Sequence, residues 1–159
     1  MSGACTTEHV WQIAQRDGEE HIAVAISDVR LPRAMVVDYP RTAQHIKEVW
    51  QSSDALLVAE EEGQICGFLD LRAEGWRRLA TARNVIVAES HRRRGVGSAL
   101  LAAANRWTRE QSLEALMVEA QSQNWPAVRF YRKLGFAFCG FNERYYVSKI
   151  ALFFTRRVK

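Results

Sequence analysis

Cysteine is scarce: Cys5, Cys66 and Cys139 are the three in 159 residues. An odd, widely spaced set excludes a disulfide framework and reads as reduced thiols, which points to a cytoplasmic protein. The four histidines, His9, His21, His45 and His91, have no metal-ligand spacing, so no bound metal is expected. No apolar run nears the roughly 20 residues that cross a bilayer, which excludes a membrane-spanning helix. The opening "MSGACTTEHVWQ" lacks the basic-then-apolar order of an export signal. Internal repeats, low-complexity tracts and linkers are also missing, and residues 1–159 are expected to form one domain.

What the chain does have is an ordinary globular composition with a basic lean. It is 48% hydrophobic and 25% charged, with a formal net charge of +4. The sequence pI is about 9.2. A basic balance suits nucleic acid or a polyanionic small molecule. The charge sits in scattered knots: Arg77–Arg78, Arg92–Arg94, Arg129/Arg132/Lys133 and Arg156/Arg157/Lys159. They have no interleaved aromatic platforms, which argues against nucleic acid.

Periodicity places the elements. "VWQIAQ" and "HIAVAI" flank the turn-like "RDGEE" and fit a pair of strands, though "EEHIAVAISDV" is also compatible with a helix. "RTAQHIKEVWQ" reads as a helix with Ala43, Ile46, Val49 and Trp50 on one face. "DALLVAEEEGQICGFLDLR" reads as strand, turn, strand. "ARNVIVAE" follows as a strand buried on both faces. Residues 96–111 predict a helix with Leu100, Leu101, Ala104 and Trp107 on one stripe. "EALMVEA" is a short buried strand. "NWPAVRFYRKLG" carries helix punctuation: Asn124 as N-cap, Pro126 in the first turn, Arg132 and Lys133 at the end, and Gly135 just beyond. Ala127, Phe130, Tyr131 and Leu134 form its apolar side. "FAFCGF" and "VSKIALFF" close as strands. The order predicts an α/β domain with a mixed sheet.

The densest charge, "HRRRGVG", lies between a strand and a helix start. A helix start presents unpartnered N–H groups and the positive end of the dipole, which together attract phosphate. Gly95 and Gly97 permit close backbone approach, and arginines add charge-assisted bonds. A Walker loop would need a lysine after Gly97, and a Rossmann fingerprint a third glycine; neither is present. A bland basic turn and a pyrophosphate seat both fit the loop taken alone.

Its context resembles the GNAT superfamily of acetyl-CoA-dependent N-acetyltransferases. Arg92-x-x-Gly95-x-Gly97 is similar to that family's [QR]-x-x-G-x-[GA] loop. Asn124, Ala127, Phe130–Tyr131 and Leu134–Gly135–Phe136 match its N-x-x-A-x-x-F-Y-x-x-x-G-F signature. The likeness is specific over residues 55–141 and faint before residue 40. "VEAQSQNWPAVRFYRKLGF" is further similar to the streptothricin acetyltransferase branch, and then to the ribosomal-protein alanine N-acetyltransferases. Both branches carry a glutamate at Glu119, and the former a tryptophan at Trp76. The resemblance implies a single GNAT-type domain, with a mixed, mostly antiparallel central sheet flanked by helices. It implies acetyl-CoA as donor, held by Arg92, Arg93, Arg94, Gly95, Val96, Gly97 and Ser98. The backbone of Ile86 and Val87 would lie along the pantetheine arm, with Asn124 and Tyr131 also at the cofactor. Where the streptothricin branch has an acidic pair and an aspartate, this chain has Arg83, Asn84 and Asn142. Those changes argue against a strongly basic antibiotic as acceptor.

Acetyl transfer to an amine needs a neutral amine, donors for the oxyanion and help for the leaving thiolate. Glu119 interrupts the apolar strand and is either a base or half of a structural ion pair. Tyr131 is either the acid that protonates the thiolate or a core aromatic. Asn124 has a sufficient role as helix cap. Trp76 and Asn84 are candidates for the acceptor side. Tyr145 and Tyr146 either border the acceptor or pair across the last strands. An acyl-CoA sensor without turnover is the alternative on the same fold, but it would not need Glu119 and Tyr131 together. The acceptor amine is not legible, and neither is the oligomeric state, a homodimer included.

Overall fold

The computed structural model describes residues 1–158. Strands β1 (Cys5–Asp17) and β2 (Ile22–Val37) form a long antiparallel hairpin of their own. Both strands are largely exposed, which weakens the period that tells strand from helix, and no helix forms over "EEHIAVAISDV". Helix α1 (Ala43–Gln51) follows, capped by the Thr42 hydroxyl accepting from the His45 N–H at 3.2 Å. Ile46 is its buried residue, packed with Phe68 and Ile86.

The central sheet contains β3 (Ala55–Glu61), β4 (Gln64–Glu74), β5 (Leu79–Val87), β6 (Ala115–Gln121), β7 (Ala137–Tyr146) and β8 (Lys149–Arg157). Its order is β3-β4-β5-β6-β8-β7. Every neighbouring pair is antiparallel except β5–β6. The parallel pair is linked through α2 (Val96–Glu110), as parallel strands require a crossover. Helix α3 (Trp125–Lys133) joins β6 to β7.

The main core lies between α2, α3 and one sheet face, where Leu100, Leu101 and Ala104 meet Leu69, Leu71, Leu116 and Val118. Trp107, the fourth residue of the α2 stripe, packs at its margin. On α3, Val128 and Tyr131 are buried, with Ala127, Phe130 and Leu134 packed beside them. β5 is covered on both sides as its VIVA run predicts: Ile86 joins the α1 cluster, while Val85 and Val87 join the main core.

One break in the sheet positions everything else. β5 and β6 pair only from Leu79–Ala115 to Ala82–Val118. Beyond that point β5 continues to Val87 and β6 to Gln121 without pairing. A β-bulge between Asp70/Leu71 and their β5 partners lies at the same level. Bulges bend the strand that carries them and increase its local twist. The two strands splay, and a cleft opens between them.

Candidate active site

The cleft is narrow and partly open to solvent. Ala82, Val85, Glu119, Ala120 and Gln121 line it from the two splayed strands. Asn124, Ala127 and Tyr131 enter from α3, Tyr146 from β7, and Tyr39, Pro40 and Arg41 from the segment before α1. The expected catalytic pair, Glu119 and Tyr131, therefore faces one space, although 12 positions apart in the chain.

Glu119 is the better connected. It is 7% exposed and forms a buried ion pair with Arg41, whose Nη2 donates to Oε1. The Tyr146 hydroxyl donates to the same oxygen at 3.2 Å. The other oxygen, Oε2, is buried and has no partner among the described residues. The ion-pair reading of Glu119 is thus realised, and one carboxylate oxygen is left without a hydrogen-bond partner among the described residues. Burial is the largest influence on Arg41 and opposes its charge, but the Glu119 carboxylate, with Tyr146 and Tyr39, together hold the guanidinium above its ordinary range. Arg41 Nη1 also donates to the Arg83 carbonyl at 2.8 Å, tying the segment before α1 to β5. Arg41→Ala should destabilise the fold by about 3–5 kcal/mol, because it strands a buried carboxylate. The double variant Arg41→Ala/Glu119→Gln should recover much of that loss in urea unfolding. A purely additive double variant would show that the pair contributes nothing as a pair.

Tyr131 is 5% exposed and packs against Phe130, Phe136 and Phe154 at 5.7, 6.0 and 6.4 Å between centroids. Burial first, then the Tyr39 and Glu119 charges, push its hydroxyl above the ordinary phenol range. It is neutral throughout the physiological range. Asn124 caps α3, accepting from the Ala127 N–H at 3.2 Å, and also accepts from the Cys5 thiol at 3.4 Å.

The loop before α2 has the expected shape and a different use of its arginines. Gly95 is the N-cap at φ +89°, with no side-chain cap on the helix start. Arg93 also stands in the left-handed region, at φ +62°, and is exposed. Gly97 faces Phe130, whose Cζ would lie 3.1 Å from an added Cβ. The N–H groups of Val96, Gly97 and Ser98 thus open a 15-residue helix. Arg92 turns away. It donates to the carbonyls of Ser2 at 2.7 Å, Ala4 at 2.8 Å and Val87 at 3.2 Å, clasping the N-terminal residues beside the cleft. Arg94 pairs with Glu61 at 3.0 Å. The start of α2 therefore offers mainly backbone donors, while the Arg92 and Arg94 side chains are engaged by other protein groups and Arg93 is exposed.

The acceptor-side expectations separate. Tyr146 lines the cleft and is buried. Tyr145 stacks edge-on against Phe153 across β7–β8 at 5.0 Å and is 41% exposed, while burial and the neighbouring Glu119 carboxylate raise its hydroxyl above the ordinary phenol range, so it both pairs across the strands and stands beside the Arg41–Glu119 pair. Trp76 is 86% exposed in a 3-10 turn with Arg77 over its ring, so it neither walls the cleft nor packs on the sheet. Asn84 is 1% exposed and lies behind the lining, accepting from the Tyr39 hydroxyl at 2.8 Å and donating to Asp70 at 2.7 Å. Asn142 is exposed on β7.

Asp70, Tyr39, Arg41 and Gln121 escape the sequence reading. Asp70 is fully buried and also accepts from Arg83 at 3.1 Å. Its signal was available: a carboxylate inside the apolar run "CGFLDL", the same clue that marks Glu119. Tyr39 and Arg41 carry no such signal in "DYPR". The charges near the cleft balance, Arg41 against Glu119 and Arg83 against Asp70.

The chain has counterparts among known proteins. A profile of the acetyltransferase (GNAT) family matches residues 8–136. The streptothricin acetyltransferase of Streptomyces lavendulae is 34% identical over 94 residues, 59% of this chain and 50% of that protein. The chain thus matches about half the length of that relative. An N-alpha-acetyltransferase of Sulfurisphaera tokodaii is 32% identical over 116 residues, 66% of this chain and 68% of that one. A Bacillus anthracis protein described as a streptothricin acetyltransferase, solved with acetyl coenzyme A, shares the fold. Its TM-score is 0.78 at 21% identity, covering 99% of this chain and 89% of that one. No helix among the described residues is long and apolar enough to cross a membrane. With its sheet opened between β5 and β6 and a glycine-capped helix start beside the opening, the chain belongs to the acetyltransferase (GNAT) family.

Proposed function

We propose that the chain transfers an acetyl group from acetyl-CoA to a primary amine, of a small molecule or of a peptide or protein, in the cytoplasm. One observation carries the reading: an unpaired strand edge, Glu119 and Tyr131 converge on a single cleft. The residues present fit the coenzyme. The start of α2 offers backbone donors for a pyrophosphate, and Gly95 has open space where a Cβ would stand. Ser98, Val96 and Gly97 supply N–H groups there, with Arg93 as the exposed cation. Binding through Arg92 would require it to exchange its contacts with Ser2 and Ala4. The edge of β5 through Ile86 and Val87 suits an extended arm carrying amides.

Acetyl-CoA supplies the acetyl group as an activated thioester. The chain's own residues handle protons. Glu119 holds the amine and takes its proton through Oε2, directly or through a water, while Arg41 and Tyr146 fix Oε1. Tyr131 points a neutral hydroxyl at the departing sulfur. A phenol raised above its usual value of about 10 does not surrender its proton fully to a thiolate of about 8.5. It acts as a hydrogen-bond donor that offsets the growing charge on sulfur. The balanced charges of the cleft support an acceptor that is not a polycation.

The test is thiol release over a panel of primary amines, followed by a pH–rate profile of Glu119→Gln. The kcat/KM defect should be largest at low pH and shrink as the free amine loses its own proton, near pH 8 for an α-amine. A defect flat across pH would make Glu119 an acceptor-holding carboxylate and no base.

A further inference from the structure

Gln121 ends β6 inside the cleft and is unexplained by the proton chemistry. It is 2% exposed, yet neither Nε2 nor Oε1 has a partner among the described residues. Buried side-chain amides are nearly always paired, so two open ends on one residue mark a place for a ligand. Glu119 and Gln121 stand two apart on the same strand and therefore share a face, about 6–7 Å apart along it. The register agrees: Glu119 lies beside Phe153 and Gln121 beside Ala151 on β8. The face that holds the amine thus also carries the open amide.

We propose that Gln121 reads a carboxamide on the acceptor, so that the preferred substrates are aminoacyl amides. This rests on the acetyltransferase reading above. An amide offers one acceptor and one donor, and satisfies Nε2 and Oε1 together. A carboxylate would set its charge against Oε1, and a second ammonium would leave Nε2 open. The unpartnered Oε2 of Glu119 takes the amine at the other end. The spacing suits an amine one or two carbons from the carbonyl, whether of a peptide or of a small amide.

The experiment compares alaninamide with isopropylamine, which keeps the branched amine and lacks the carboxamide. Both are assayed with saturating acetyl-CoA at equal free-base concentration. Wild type should prefer alaninamide. Gln121→Leu and the length-matched Gln121→Met should lower that preference in kcat/KM by roughly 10- to 100-fold, one or two factors of ten at about 1.4 kcal/mol each. The KM for acetyl-CoA should stay unchanged, which excludes a general folding defect. Equal losses on both amines, no loss of preference, or a raised KM for acetyl-CoA would overturn the assignment. So would a wild-type enzyme that binds acetyl-CoA yet does not prefer alaninamide. Failure to bind acetyl-CoA in calorimetry is a separate result and counts against the acetyltransferase reading itself.

Discussion

Tyr131→Phe is expected to lower kcat by roughly 10²- to 10³-fold, the usual worth of one well-placed donor to a developing anion. The change removes a single oxygen. Among the described residues that hydroxyl bonds to nothing, so its loss leaves no protein group unpaired. The ring contacts with Phe136 and Phe154 survive in phenylalanine. Thermal stability and the affinity for acetyl-CoA should therefore change little. The defect should also be flat from pH 6 to 9, roughly, because burial keeps the wild-type phenol neutral across that window. Single-turnover kinetics at saturating donor isolates the step. A variant at full rate would return Tyr131 to the core as a packing residue.

The second large effect is on binding. Gly95→Asp should raise the Kd for acetyl-CoA by at least roughly 100-fold in calorimetry while the domain stays folded. The fold should survive for three reasons. A Cβ at Gly95 meets nothing within 4 Å. Aspartate is among the better-tolerated residues at positive φ, at a cost of about 1–2 kcal/mol. At an N-cap it gains back part of that by accepting from the first-turn N–H groups. That gain is what harms binding, because the carboxylate consumes the donors and adds charge where a pyrophosphate would sit. Gly95→Asn separates the two causes: it caps the helix without the charge and should weaken binding less. Unchanged affinity in Gly95→Asp would remove the helix start from the cofactor site.

The helices and most of the sheet were legible because their cues are local. Leu100, Leu101 and Ala104 recur at helical spacing and are buried together. Asn124 caps α3, and Gly135 takes φ +81° after it. "VIVA" reads as doubly covered and is. The hairpin β1–β2 was ambiguous because its residues are largely exposed, so the period that distinguishes strand from helix is weak. Glu119 stood out as a carboxylate in an apolar strand, and Tyr131 through its family signature. The contacts of Arg92 were not legible, because a charge next to a glycine says nothing of where a long side chain turns; here it bonds to the carbonyls of Ser2 and Ala4. Trp76 misled because a position along the chain does not report whether a loop folds inward.

By itself the sequence determined the element order, the glycine-capped start of α2 and the chemistry available at Glu119 and Tyr131. Each follows from forces acting within a few residues: side-chain period, capping and φ freedom. Tertiary structure alone decided where those parts meet. It ended the β5–β6 ladder at Ala82 and Val118, and so made a cleft where the chain could have had a continuous sheet. It brought Arg41 across 78 positions to Glu119, and Tyr39 to Asn84, which is bonded to Asp70. It left both ends of Gln121 open. Strand pairing and buried ion pairs depend on distances between segments remote in sequence, and no local period records them.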